Sequence, residues 1–422
     1  MPTITPKIIP ADTETEVVIT SGPEEPSFDP EQDYTIQLFD METGTFATPA
    51  APPLPLRPQS GVLRFRQFFA GEQEHRLLLS ADGEEPPARL HVYSVQPDLL
   101  ARRPFKGDLH QHSHCSDGRE APAAVAAHNR RIGMDFAALT DHRLYAPSLE
   151  AIEAFAEVPL DLRLYPGEEV HPPDNPVHFV NFGGEYSVHA LFDQPRYMKE
   201  VDALLASLPD VPEGLNPYVY ASSLWTLQAI QEAHGIAIFC HPYWVWGETY
   251  NVQEPLTARL FRDQPFSAYE LLSGYWAYET ESNALQVARY YHEVAQGHLL
   301  PIVGVSDGHG IERGLHGWYY TLVLAPSPEL EDLREAIGNH FSVAVEQVPG
   351  MPAPRPYGPF RLVKYTSFLL REVLPAHDAL CMEEGEWMAE HLRGEPQAAN
   401  HLAHAQGRTH ELYDRLWASS PQ

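Results

Sequence analysis

The sequence predicts an α/β protein. Its core is a parallel sheet, open or closed into a barrel, with a small all-β sandwich before it and helices after it. Three observations carry this reading. Between residues 105 and 345, apolar runs of strand length alternate with stretches of helical length, as in a parallel sheet with helical crossovers. Before residue 100, short β-branched or alternating runs are separated by turn-rich pieces, as in a sandwich. After residue 350 the chain is Pro-rich for some ten residues and then helical. At 422 residues it exceeds one ordinary domain, and the expected division is 1–100, 101–350 and 351–422.

In the first segment the strand candidates are Val17–Thr20, Tyr34–Asp40, Val62–Phe68, His75–Leu79 and Leu90–Val95. The Pro-rich piece Pro52–Pro58 reads as a rigid connection. No cluster of catalytic residue types falls here, so a packing or lid role is expected. In the second segment a helix opens at Pro122, a residue suited to the first turn, and leads into FAALT (136–140). HFVNFG (178–183) is strand-like, and a helix over Ser222–His234 leads into IAIFC (236–240). YELLS (269–273) is followed by a helix over Ser282–Gln296 and by LPIVGVSD (300–307). The stretch 185–221, with Pro195, Pro209, Pro212 and Pro217, is expected to be loop-rich. It is a candidate lid, with a plain surface excursion the equal alternative. The final helices carry His401, His404 and His410, read as surface histidines, and offer a face for homo-oligomer contact.

Composition narrows the function classes. The formal charge of −30 repels phosphate backbones and anionic lipid, so neither nucleic acid nor membrane is an expected partner. Three cysteines without a C-x-x-C pair do not suggest a disulfide framework and fit a reducing compartment. No signal-peptide pattern and no run of 18 apolar residues is seen, so a cytoplasmic protein acting on a small molecule is expected.

The chemistry concentrates in DLHQHSHCSDG, Asp108–Gly118. His110 and His112 are two apart, and on a strand or the loop leaving it they point to one side. Groups of the same kind recur at later strand ends: Asp117 in the same loop, Asp141 and His142 after FAALT, Glu168 and Glu169 after LRLYPG, His178, His241, and Asp307 with His309. Imidazole and carboxylate together suit Zn, Mn or Fe. The set exceeds one tetrahedral site and suggests two or three ions sharing carboxylates, which could clamp attacking and leaving oxygens and activate water.

The pieces DLHQHSHCSDG, ALTDH, PGEEVH with VHFVNFG, FCHP and VSDGH, in this order over residues 105–320, resemble the motifs of the PHP (polymerase and histidinol phosphatase) family. The resemblance implies a distorted seven-stranded β/α barrel with metals at the carboxyl end. It implies that His110, His112 and Asp307 bind one ion, that Glu169 bridges to a second completed by His178 and His241, and that Asp117, His142 and His309 bind a third. A bridging hydroxide would be the nucleophile. Glu169 is preferred to Glu168 on the family spacing after Gly167. Asp141 is expected either to hold a ligand imidazole or to cap a helix. His114 is expected to face away or line the pocket, Cys115 and Cys240 to be small fillers, and His171, His189 and His234 to be structural.

The reaction is expected to be phosphoester hydrolysis, with Lys106, Arg119, Arg143 or Arg313 holding phosphoryl oxygens. Arg143 is the first choice, and Asp307, His309 or metal-bound water could supply the leaving-group proton. Tyr243, Trp244 and Trp246, with Tyr275 and Trp276, suggest an aromatic pocket. That favours the alternative of a carboxylester or carbamate hydrolase, the activity implied by a further resemblance to PHP-like carbaryl hydrolases with extra domains. A non-catalytic metal-binding module is the third reading.

Overall fold

A computed structural model describes the chain except residues 46–47, 82–86, 209–212, 275–279, 314 and 420–422. The chain forms two compact units. One holds Met1–Arg103, Lys364–His377 and Gly407–Gln422, and the other holds Pro104–Val363 and Asp378–Gln406. The C-terminal helices therefore do not form a unit of their own. Helix Arg408–Leu416 buries Leu412, Tyr413 and Leu416, and Trp417 just beyond it bridges to Ile8 of the first unit.

The first unit has two sheets. One orders Thr3–Thr5, Thr13–Thr20 and Leu63–Phe69, all antiparallel. The other orders Ile8–Pro10, Ala88–Val95, Gln73–Ala81, Tyr34–Asp40 and Leu54–Leu56. Strand Gln73–Ala81 alternates buried with half-buried side chains, the period-two signature of a sheet with one face in a core. Its Leu77 and Leu79 join Val17, Ile19, Ile36, Leu63, Leu90 and Val92 in one apolar cluster drawn from both sheets.

The second unit also has two large sheets, and neither is wholly parallel. One orders Arg163–Tyr165, Phe136–Ala138, Arg103–Asp108, Tyr319–Ala325, Ser342–Glu346 and Arg355–Tyr357. Its first three strands are parallel and its last three antiparallel. The other orders Gly167–Val170, Phe179–Phe182, Ile236–Phe239, Ala268–Leu272 and Ile302–Gly304. Here Phe179–Phe182 runs antiparallel to both neighbours, which corrects the expectation of a parallel sheet. No crossover helix separates Gly167–Val170 from Phe179–Phe182, so the chain can only return alongside. Most of these strands are buried throughout, as strands covered on both faces must be. The sheets are joined at one edge by isolated parallel bridges, Gln111 to Gly308 and His142 to Glu169.

The stretch 185–221 is not the loop its prolines suggested. It contains a short turn of helix, His189–Leu191, and the helix Pro195–Ser207. Pro195 and Pro217 each open a helix rather than break one, because the first turn needs no backbone N–H bond. Asn216 caps the second of these, accepting from the N–H groups of Tyr218 and Val219. Pro209 and Pro212 lie outside the described residues. Among the described residues, no helix is long and apolar enough to cross a membrane.

Candidate metal centre

Backbone hydrogen bonds bring the ligand-bearing segments together. Past the carboxyl end of strand Arg103–Asp108, the chain keeps ladder-like bonds on both sides. The Asp307 N–H donates to His110 O (2.9 Å) and the His112 N–H to Gly308 O (2.9 Å), while the Thr140 N–H donates to Gln111 O (2.9 Å). One step further, the Glu169 N–H donates to Thr140 O (3.1 Å) and the Arg143 N–H to Glu169 O (2.8 Å). Alternation sends His110 and His112 to one side and Gln111 to the other, where its amide meets Ala138 and Asn129. The same alternation separates the two glutamates. Glu168 accepts from Ser187, Asn181 and the backbone of Val188, while Glu169 faces the imidazoles. His178 opens its strand instead of ending it. That strand is antiparallel and pairs Phe179 with Phe239, so its amino end lies beside the carboxyl end that carries His241. Asp307 and Arg143 both adopt left-handed φ (46° and 62°), backbone strain of the kind that persists where the surroundings fix a side chain.

Three donor groups share this edge. In the first, His112 Nε2 lies 3.2 Å from His110 Nε2 and 3.0 Å from Asp307 Oδ1, and His110 Nε2 lies 3.4 Å from Asp307 Oδ1. In the second, Glu169 Oε1 stands 2.8 Å from His178 Nδ1 and 3.5 Å from His241 Nε2. In the third, Asp117 reaches His142 Nε2 at 3.4 Å and His309 Nε2 at 3.3 Å. Glu169 Oε2 lies 3.5 Å from His110 Nε2 and in contact with His142 Nδ1, so this carboxylate touches all three groups. Ligands about 2.1 Å from an ion sit roughly 3.0 to 3.4 Å apart along the edges of a coordination polyhedron. The first group matches these edges closely.

The polar bookkeeping agrees. Both Glu169 oxygens are buried and accept no well-formed hydrogen bond, and His112 Nδ1 and His241 Nδ1 have no hydrogen-bond partner. Carboxylate oxygens so placed cost free energy unless something satisfies them. A cation held by Glu169 and its neighbours does so, and the donor set of imidazole and carboxylate is of the right type. The residues present therefore fit divalent ions.

Without ions, the centre holds protons instead. Burial pushes the His110 imidazole down, but Asp307, Glu270 and Glu169 outweigh it and raise its pKa well above normal. Burial likewise opposes the His142 proton, yet Glu169 and Asp117 lift that group to about 10. His112, buried beside His309 and His142, is pushed down to about 3, and burial pushes His178 down to about 4. Glu169 and Asp307 resist the upward push of burial and are held well below the carboxylate range by surrounding imidazoles. Loading the site with cations must displace the protons of His110 and His142, so affinity falls as pH falls.

Three residues near the centre, Glu270, His171 and Asp141, were missed or read otherwise from sequence. Glu270, in the middle of strand Ala268–Leu272, accepts from His110 Nδ1 (2.7 Å) and from the His241 N–H (3.0 Å). A glutamate inside the apolar run AYELL was its visible signal. His171, expected to be structural, places Nε2 3.4 Å from Glu169 Oε2. The buried Cys240 thiol falls within the group formed by His110, Glu169 and His241. Asp141 does neither job foreseen for it. It accepts from Ser113 N–H (2.9 Å) and Oγ–H (2.8 Å) and from Ser116 Oγ–H (2.6 Å), holding the HSHCSDG loop in shape. His114 is exposed.

A cavity of about 740 Å³ opens on the centre, lined by Asp117, His142, His178, His241, Asp307 and His309 among others. His189, Phe192 and Asp193 from the 185–221 stretch also line it, as do Trp244 and Arg143. Of the cations considered for phosphate, Arg143 is there and exposed. Lys106 is not: it is buried, with its ammonium 3.0 Å from Asp378 and over the Tyr320 ring. Arg119 is outside the lining, and the Arg313 side chain lies outside what is described. Of the aromatics, Trp244 lines the cavity, while Tyr243 turns to Glu254 and Arg289. Tyr275, Trp276 and the Trp246 side chain lie outside the described set.

No family model matches the sequence, and no curated protein matches it. Among solved structures, one that the chain resembles is a two-domain protein of Bacteroides vulgatus described as containing a predicted PHP-like metal-dependent phosphoesterase. The two are 18% identical with a TM-score of 0.41, over 59% of this chain and 66% of that one. Another is an amidohydrolase of Chromobacterium violaceum, 20% identical with a TM-score of 0.32, over 49% of this chain and 89% of that one.

Proposed function

We propose that this chain is a metal-dependent hydrolase, a phosphoesterase acting on a small phosphorylated substrate. The observation that carries the proposal is the state of Glu169: a fully buried carboxylate ringed by imidazoles, with neither oxygen properly hydrogen-bonded. His110, His112 and Asp307 would hold one ion, His178 and His241 a second, and Asp117, His142 and His309 a third, with Glu169 shared. Two or three Zn, Mn or Fe ions suit this set. When bound, such ions polarise the ester and lower the pKa of water toward neutrality. The protein's own part is to hold the ions and to orient the substrate. Arg143 at the cavity wall can fork onto phosphoryl oxygens, while Asp307, held ionised, and His309 serve the ions rather than protonate the leaving group. The two bridges joining the sheets support reading the rim as a distorted seven-stranded barrel closed at its carboxyl end.

A second reading, hydrolysis of a carboxylic ester or carbamate, is favoured by one observation. Arg143 is the single lysine or arginine among the described lining residues, while Phe192 and Trp244 supply apolar wall. The test is metal content by elemental analysis, paired with turnover of p-nitrophenyl phosphate, bis-p-nitrophenyl phosphate and an aryl acetate or carbamate. Two to three ions with phosphate turnover, both lost in Asp307→Ala, is the expected result. Ions with carbonyl-ester turnover alone would select the second reading, and ions without turnover a binding module. A chain that stays metal-free after incubation with Mn²⁺ and Zn²⁺ would overturn the assignment.

A further inference from the structure

His171 follows Glu169 by two residues, just past strand Gly167–Val170, and leaves the backbone on the same side. Its Nε2 lies 3.0 Å from His142 Nδ1. Its ring stacks on that of His178, with centroids 3.9 Å apart and planes 16° from parallel, and its side chain is 13% exposed. These contacts fix the plane of the ring and the direction of its lone pair.

The partner of His142 matters because of what its other nitrogen does. His142 Nε2 faces Asp117. An imidazole that gives one nitrogen to a cation carries its proton on the other, and that N–H needs an acceptor. Two imidazoles of the centre already have one. His110 Nδ1 meets Glu270 at 2.7 Å, and His309 Nδ1 meets the Asp307 carbonyl at 2.8 Å. For His142 Nδ1 the neighbours are Glu169 Oε2 and His171 Nε2. Glu169 is the carboxylate shared by the proposed ions, which would compete with the His142 N–H for its lone pairs. His171 Nε2, at 3.0 Å, is the other acceptor within reach.

We propose that His171 is a positioning residue for His142. It accepts the Nδ1–H, selects the tautomer with Nε2 free, and so sets the affinity of the Asp117–His142–His309 group for its ion. The inference rests on the metal-centre reading. The test compares wild type, His171→Ala and His171→Gln, whose side-chain carbonyl can replace the acceptor. Divalent ions are titrated calorimetrically with Mn²⁺ and with Zn²⁺, and the melting temperature of each metal-free protein is recorded. His171→Ala should weaken one class of ion about 10- to 100-fold, the size of an outer-shell effect, and leave the others in place. His171→Gln should recover most of that loss, with metal-free melting alike in all three. Proton–nitrogen correlation spectra of the loaded wild type should show His142 protonated at Nδ1. Unchanged affinities in His171→Ala, or equal losses in both variants, would overturn the inference alone. A wild-type chain that binds no ion would overturn the metal-centre reading and this inference with it.

Discussion

Glu270 gives the sharpest test of how the centre is built. Its carboxylate is fully buried and accepts two donors at once, His110 Nδ1 at 2.7 Å and the His241 backbone N–H at 3.0 Å. Glu270→Ala strands both. A buried donor left without an acceptor costs about 1–3 kcal/mol, so the metal-free protein should lose roughly 2–6 kcal/mol of stability. Glu270→Gln keeps the volume and one acceptor oxygen but turns an NH₂ toward the second donor, so about half that loss is expected. Loss of an outer-shell carboxylate also weakens ion binding about 10- to 100-fold, or roughly 1.4–2.8 kcal/mol. A third effect runs the other way. Glu270 helps hold the proton on His110, so without its charge less proton must be displaced when the ion enters. Titration calorimetry in two buffers of different ionisation enthalpy separates these effects. Glu270→Gln should bind more weakly and release fewer protons per ion than wild type. Unaltered proton release together with unaltered affinity would refute the claim that Glu270 acts through His110.

Arg143→Ala should lower kcat/KM for a phosphoester about 10- to 100-fold, the loss of one charge-assisted contact. It should change aryl-ester turnover by no more than about threefold, and equal losses on both substrates would remove the phosphate-clamp role. Acid stability should report two buried histidines outside the proposed ligand set, of which His316 packs beside Gly308. Burial pushes His316 down to about 3 and His128 down to about 4. Both values lie below the unfolded value near 6.5, so the unfolded chain binds protons first. The contribution of these two groups is then level above pH 6.5 and falls by roughly 1.4 kcal/mol per pH unit per group until the folded pKa is reached. Both His316 ring nitrogens are buried without a hydrogen-bond partner, so His316→Phe should abolish its share of the decline. Urea unfolding of the metal-free protein at pH 7, 5.5 and 4.5 measures this, and parallel declines in wild type and variant would contradict it.

What the sequence revealed and what it hid follow from the range of the interactions. Strand Tyr34–Asp40 and the strand ends carrying His110, His142, His241 and Asp307 are legible because period-two burial and ligand spacing are local patterns. Strand Phe179–Phe182 was legible but its antiparallel direction was hidden, because direction depends on a partner far along the chain. The helix Pro195–Ser207 was hidden because proline breaks a helix or begins one according to its position. Lys106 was misplaced for a similar reason. Its neighbour in sequence is the centre, but its partner is Asp378, 272 residues away. Asp141 was misread because its acceptors' partners, two serine hydroxyls and their N–H groups, are too common in loops to carry a signal.

Charge ties the third donor group to the choice of substrate. Glu169, Asp307 and Asp117 are the carboxylates among the proposed ligands, and Glu270 adds a fourth through His110. Together they balance two divalent ions, so a two-ion centre is about neutral, in a chain of net charge −30. Only a third ion leaves the centre positive. A phosphoryl group would meet one arginine and little attraction in the two-ion state, but a net cation in the three-ion state. A neutral carbonyl ester needs no such excess. Weakening the Asp117–His142–His309 group should therefore cost phosphoester turnover more than carbonyl-ester turnover. Inhibition by inorganic phosphate should appear only as the third ion binds. If phosphate inhibits the two-ion protein equally well, Arg143 rather than the ion count decides the substrate.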